Sequence, residues 1–146
     1  SIISSLLHWR NFKTYNMAIT FSITRRVEFS ETDLAGIMHF TNFYRWMESA
    51  EHDFLRLRGV ALHQGGVGWP RVNASADFKK PIKFGDLIRV SVSIAELRTR
   101  SIRYTFEFRV NESDEIHATG EMVSVCVDLA TMKAIEIPSK IRCLLE

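Results

Sequence analysis

Between Asn42 and Arg58 the apolar residues recur at three- and four-residue steps. Phe43, Trp46, Met47, Ala50, Phe54 and Leu57 make one stripe of a helix. Further along, the period changes to two. Ile88, Val90, Val92 and Ile94 alternate with polar residues, and Ile102, Tyr104, Phe106, Phe108 and Val110 do so again. A helix with so broad an apolar stripe must bury it, and the strands are the only large partner the chain offers. That constraint selects an α+β domain: a curved sheet wrapped on one long central helix.

The rest of the chain fits this frame. Ile19, Phe21, Ile23 and Val27 sit at odd positions within 18–29 and suggest a first strand. Gly59 is placed to end the helix. Gly65, Gly66, Gly68 and Pro70 mark a loop or an irregular strand entry. A short strand is expected over 72–78, ended by Pro81 and Gly85-Asp86. Residues 116–127 read as a long strand. Its apolar positions shift from even (Ala118, Met122) to odd (Val123, Val125, Val127), which predicts a bulge or two buried faces. Asn111 to Glu115 is a polar turn, and a short tail helix is expected after Pro138. The order is one strand, one long helix, then about four strands. Short turns between the strands predict antiparallel pairing.

A chain of 146 residues favours one domain, and 46% apolar with 25% charged residues is ordinary globular composition. A net charge of +2 lends little support to nucleic-acid binding. Cys126 and Cys143 show no CxxC spacing, so a reducing cytoplasm is the easier reading. No apolar run approaches the length of a membrane span. The first sixteen residues, SIISSLLHWRNFKTYN, precede Met17 and read as an extra segment or tag without assigned function. The working domain is expected over 17–146.

Chemistry concentrates in SETDLAGIMHF, just before the helix. A helix N-terminus leaves backbone N–H groups unpaired and carries positive partial charge, which suits a developing oxyanion. A carboxylate at Asp33 facing it can attack a carbonyl or activate a water. Gly36 lets substrate or backbone approach closely. On spacing alone, a turn or cap pair is the plainer reading of Thr32-Asp33, and a loop or packing role the plainer reading of His39.

The segment ETDLAGIMHFTNFYRWMESAEHDFLRLRG resembles the active-site segment of the 4-hydroxybenzoyl-CoA thioesterase family of hotdog-fold proteins. DFKKPIKFGDLIRVSV and VSVCVDLATMKAIEIP are similar to that family's second and last landmarks. The resemblance implies a five-stranded antiparallel sheet around a long helix, assembled as a dimer or a dimer of dimers (a homotetramer), with acyl-CoA sites at subunit interfaces. It implies hydrolysis of an acyl-CoA or acyl-carrier-protein thioester, without metal or redox cofactor. Carried over by motif, Asp33 is the catalytic nucleophile or general base, and the Phe40 N–H is the donor to the thioester carbonyl. Glu48 is the acidic helix residue, which orients the site or makes a structural hydrogen bond. The resemblance leaves the part of His39 open.

Lys79, Lys80 and Lys83 flank Pro81, and Arg98, Arg100 and Arg103 lie around a strand turn. As residues, these are ordinary solvated charges. The resemblance makes Lys80, Arg98 and Arg100 candidates for the CoA phosphates. Trp69 is either an acyl-pocket wall or a packed loop aromatic. Glu48, Glu51 and His52 share a helix, but the paired histidines of a metal helix are missing and no metal is expected. Two rivals stand beside the hydrolase: a hotdog hydroxyacyl-thioester dehydratase using His39 and Glu48, and a non-catalytic acyl-thioester-binding protein.

Overall fold

The structure, a computed structural model, describes residues 20–63 and 65–146. The N-terminal segment 1–16, Met17 and the start of the expected first strand (Ala18, Ile19) lie outside the described residues. Strand β1 is Thr20–Arg26, and α1 spans Phe40–Leu57. Then follow β2 (Val67–Gly68), β3 (Arg71–Phe78), β4 (Leu87–Leu97), β5 (Ser101–Val110), β6 (Ile116–Val125), β7 (Val127–Asp128) and a second helix, α2 (Ser139–Leu145). Five strands form one sheet in the order β1-β4-β5-β6-β3, every ladder antiparallel. Among the described residues there are two α-helices, one of 18 residues and one of 7.

Alternation decides which face of the sheet is buried. Ile88, Val90 and Val92 on β4, with Ile102, Tyr104, Phe106 and Phe108 on β5, all turn inward. Phe43, Trp46, Met47, Ala50 and Phe54 of α1 join them in one core. Each such large apolar side chain contributes about 1.5–3 kcal/mol by leaving water. Gly120 of β6 makes the contact with the helix possible. A Cβ there would overlap the end of the Met47 side chain, so glycine leaves that side chain its seat against the strand.

Three details differ from the sequence reading. Leu57 is exposed although it continues the stripe. The helix ends there, with Gly59 at φ +79°, and Val60, donating its N–H to the Leu55 carbonyl, is buried instead. In β6 the phase never changes: Ala118, Met122 and Ser124 all face the core. A buried serine broke the apolar pattern, because Ser124 Oγ accepts a hydrogen bond from Arg71 Nη1 at 3.2 Å. Two bulges flank the strand: the β5 ladder steps from Phe108↔Ala118 to Arg109↔Ile116, and the β3 ladder steps from Arg71↔Ser124 to Asn73↔Val123, beside the expected phase change. Finally, the glycine-rich loop contains β2, paired with β7. Two-residue strands leave no periodicity to read.

Candidate active site

The loop before α1 is held in place by Glu31. Its carbonyl accepts the His39 N–H and Asn42 Nδ2, both at 2.8 Å, and its Oε1 accepts the Trp46 indole N–H at 2.9 Å. Arg25 adds an ion pair at 3.6 Å. The next residue, Thr32, bridges to Met38, and the Asp33 N–H donates to the Ile37 carbonyl at 3.0 Å. Met38 is fixed in turn by its N–H on the Ile82 carbonyl at 2.7 Å. The loop is therefore pinned to α1 on one side and to the approach to β4 on the other. Gly36 closes it at φ +75°, a left-handed conformation that favours glycine.

Asp33 is exposed, and its Oδ1 accepts the Ala35 N–H at 2.8 Å, an Asx turn. The plain turn reading holds, and among the described residues the other oxygen has no protein partner. Asp33 lines a cavity of about 350 Å³ together with Phe40, the first residue of α1. Met38, Phe43, Phe78 and Ile82 supply most of the apolar wall. Phe43 sits edge-on to Phe78 with ring centroids 4.8 Å apart.

His39 is the N-cap of α1. Its Nδ1 accepts the Thr41 N–H at 3.3 Å and shares a hydrogen bond of 2.8 Å with Thr41 Oγ1. The Asn42 N–H donates to the His39 carbonyl at 3.0 Å. Among the described residues the Phe40 N–H has no partner, so the cap leaves one donor open at the helix tip. The His39 side chain itself does not line the cavity.

The other expected residues disperse. Lys80 lines the cavity, but its ammonium is hydrogen-bonded to Glu115. Glu48 stands two turns beyond Phe40, paired with Arg71 Nη2 at 3.1 Å and facing a separate polar cleft. Trp69 is half-buried against the core, away from Asp33. Arg98 and Arg100 follow the far end of β4, while the Asp33 loop meets the chain just before its start. An eleven-residue strand separates them, roughly 35 Å at strand rise. Arg98 is paired instead with Glu96 at 2.5 Å. Within one chain, then, Glu48, Trp69, Arg98 and Arg100 do not join the Asp33 cavity.

Sequence reasoning missed Glu31, which looks like any acid before a turn, and the wall formed by Phe78, Pro81 and Ile82. The FKKP stretch attracted notice for its charge, whereas its apolar members reach the cavity. Among the described residues no cluster of His, Cys, Asp or Glu has the geometry to hold a metal ion.

A carboxylate and a helix tip on one apolar cavity are the parts that attack on a carbonyl requires. A family model described as the thioesterase-like superfamily matches residues 27–144. The chain belongs to the thioesterase-like superfamily. It is similar to a 1,4-dihydroxy-2-naphthoyl-CoA hydrolase of Thermosynechococcus vestitus, 31% identical over 118 residues, which cover 78% of this chain and 80% of the relative. Among solved structures it superposes on a 1,4-dihydroxy-2-naphthoyl-CoA thioesterase from Synechocystis with TM-score 0.80, at 26% identity, covering 86% of this chain and 95% of the other. A gentisyl-coenzyme A thioesterase superposes with TM-score 0.75, at 32% identity, covering 84% and 99%. The fold is that of the hotdog thioesterases, and thioester hydrolysis is the activity.

Proposed function

We propose that the chain hydrolyses an acyl-CoA thioester whose acyl group is aromatic, with Asp33 as the attacking carboxylate or general base. The observation that carries the reading is the cavity shared by the Asp33 side chain and the first residue of α1. The Phe40 N–H, left open by the His39 cap, receives the developing oxyanion, aided by the positive end of the helix. Phe40, Phe43 and Phe78 provide flat apolar walls, and about 350 Å³ lies at the lower end of small-molecule pockets (about 300–1,000 Å³). That is room for an acyl group, not for a whole CoA ester. The similar thioesterases named for 1,4-dihydroxy-2-naphthoyl-CoA and gentisyl-CoA support an aromatic acyl group.

In this reading α1 is the central helix on which the sheet curls, and the protein is a homo-oligomer, a dimer or a dimer of dimers. The exposed edge strand β3 supports assembly, because an open edge with apolar Val72 and Phe78 exposed invites a partner. Two free cysteines, Cys126 buried and Cys143 exposed, suit the reducing cytoplasm.

The test is thiol release from a panel of aryl-CoA, fatty acyl-CoA and acyl-carrier-protein thioesters. Preferential turnover of aryl-CoA esters supports the reading. Alkene formation from a hydroxyacyl ester without thiol release would make the protein a dehydratase, and binding without turnover a carrier.

A further inference from the structure

A thioester has two arms on either side of its reacting carbonyl: an acyl group and a long thiol arm. Asp33 lines two clefts. One is the 350 Å³ cavity, whose floor consists of the buried side chains Met38, Phe43 and Ile82. The other is a cleft of about 680 Å³ lined by Phe29, Thr32, Leu34, Gly36 and Phe84 as well as Asp33. Its large side chains are exposed, Phe29 to 78% and Phe84 to 61%, with their rings edge-on at 6.1 Å. Apart from Asp33 it carries no ionisable group. Exposed aromatic and aliphatic side chains gathered around one carboxylate are not ordinary surface.

We propose that these two clefts are the two arms' subsites: the acyl group enters the Phe43–Phe78 side, and the pantetheine portion of the thiol arm lies across Phe84 and Phe29. The proposal rests on the thioesterase reading and assigns direction within that site. The buried floor decides the acyl side, because Met38, Phe43 and Ile82 are held in the core and offer a small flat group a fixed apolar surface to pack on. The cleft lined by exposed Phe29, Leu34 and Phe84 has no such floor and suits a long chain that continues toward a nucleotide. Its apolar lining suits the methyl-bearing, uncharged pantetheine, and contacts made this far from the carbonyl still contribute to turnover. Phe78 is then a specificity-determining residue and Phe84 a residue that senses the thiol arm.

The experiment measures kcat and KM for the native protein, Phe78→Ala and Phe84→Ala on two substrate series. One keeps the CoA arm and varies the acyl group: benzoyl, naphthoyl and a straight chain. The other keeps benzoyl and shortens the arm from CoA to pantetheine to N-acetylcysteamine. Phe84 is 61% exposed, so an unchanged melting temperature is expected for Phe84→Ala, while Phe78→Ala, which loses its packing on Phe43, is compared with the native protein at equal folded fraction. Phe84→Ala should raise KM for benzoyl-CoA about tenfold. That factor should shrink below about threefold for the N-acetylcysteamine ester, with the acyl ranking kept. Phe78→Ala should shift the acyl ranking about tenfold in kcat/KM toward the bulkier groups, with the arm dependence kept. The assignment is overturned if the two variants exchange these effects or if Phe84→Ala leaves KM for benzoyl-CoA within about twofold. It is also overturned if Phe84→Ala changes the sedimenting mass with no arm dependence, which would make the cleft a contact between copies of the chain. A native protein inert toward every thioester would instead remove the hydrolase reading beneath it.

Discussion

Arg71 at the start of β3 donates from Nη1 to Glu51 Oε2 of α1 at 2.5 Å, with Glu51 only 3% exposed. The same guanidinium reaches Ser124 and Glu48, so one side chain joins the helix to two strands of the sheet. Although burial works against its charge, the two glutamates raise the Arg71 guanidinium above its ordinary value. A buried pair of this kind adds little net stability over an apolar pair, but breaking it strands a charge. Arg71→Met should therefore cost about 3–5 kcal/mol in urea unfolding, and pairing it with Glu51→Met should recover much of that loss. A double-variant loss equal to the sum of the Arg71→Met and Glu51→Met losses would show that the pair is not coupled.

Helix capping and proton transfer make different demands on His39. Replacing it by Ala removes the cap and should cost about 1 kcal/mol. Asn restores a cap without restoring an imidazole, so His39→Asn should recover both stability and turnover. If His39→Asn regains stability while turnover stays depressed, the imidazole has a part in the reaction beyond capping.

Gly120→Ala should destabilise by about 1–3 kcal/mol through overpacking against Met47. Met47→Ala in the same chain vacates that space, so the two losses should be strongly non-additive. Simple additivity in thermal or urea unfolding would place the contact elsewhere.

The hydrogen bond from the Lys80 ammonium, with its charge, holds the Glu115 carboxyl below the ordinary carboxylate value of 4.5. A folded value below the unfolded one means that the contribution is complete above the ordinary value and is lost as pH falls through the depressed one. For an exposed pair the effect on global stability is small, so the measurement is the Glu115 carboxyl titration by NMR. Its midpoint should lie below 4.5 and return toward that value in Lys80→Met. An unmoved midpoint in the variant would dismiss the pairing.

Periodicity made the sheet and α1 legible, because burial on one face of a regular element writes itself into the residue order. It misled at Leu57 and at Ser124, where a helix end and a buried polar partner override the pattern. Glu51 reads as a solvated helix acid, since its partner Arg71 lies 20 positions away. Asp33 and Phe40 were legible because seven residues of loop and a helix start bring them to one cavity. Phe78 and Ile82 were not, because only the tertiary fold brings the end of an edge strand over the first turn of α1. Arg98 and Arg100, matched with the CoA phosphates, lie a strand's length from Asp33 within one chain, a separation that residue order alone does not express.

In the proposed reaction the Asp33 carboxylate drives thioester cleavage at the tip of α1. The most direct measurement is kcat for thiol release from an aryl-CoA ester by Asp33→Asn, beside the native protein. Asn can keep the Ala35 hydrogen bond and hence the turn, so the melting temperature should hold while kcat falls by about 10²–10⁴-fold. Near-native turnover in a folded Asp33→Asn protein would contradict the account.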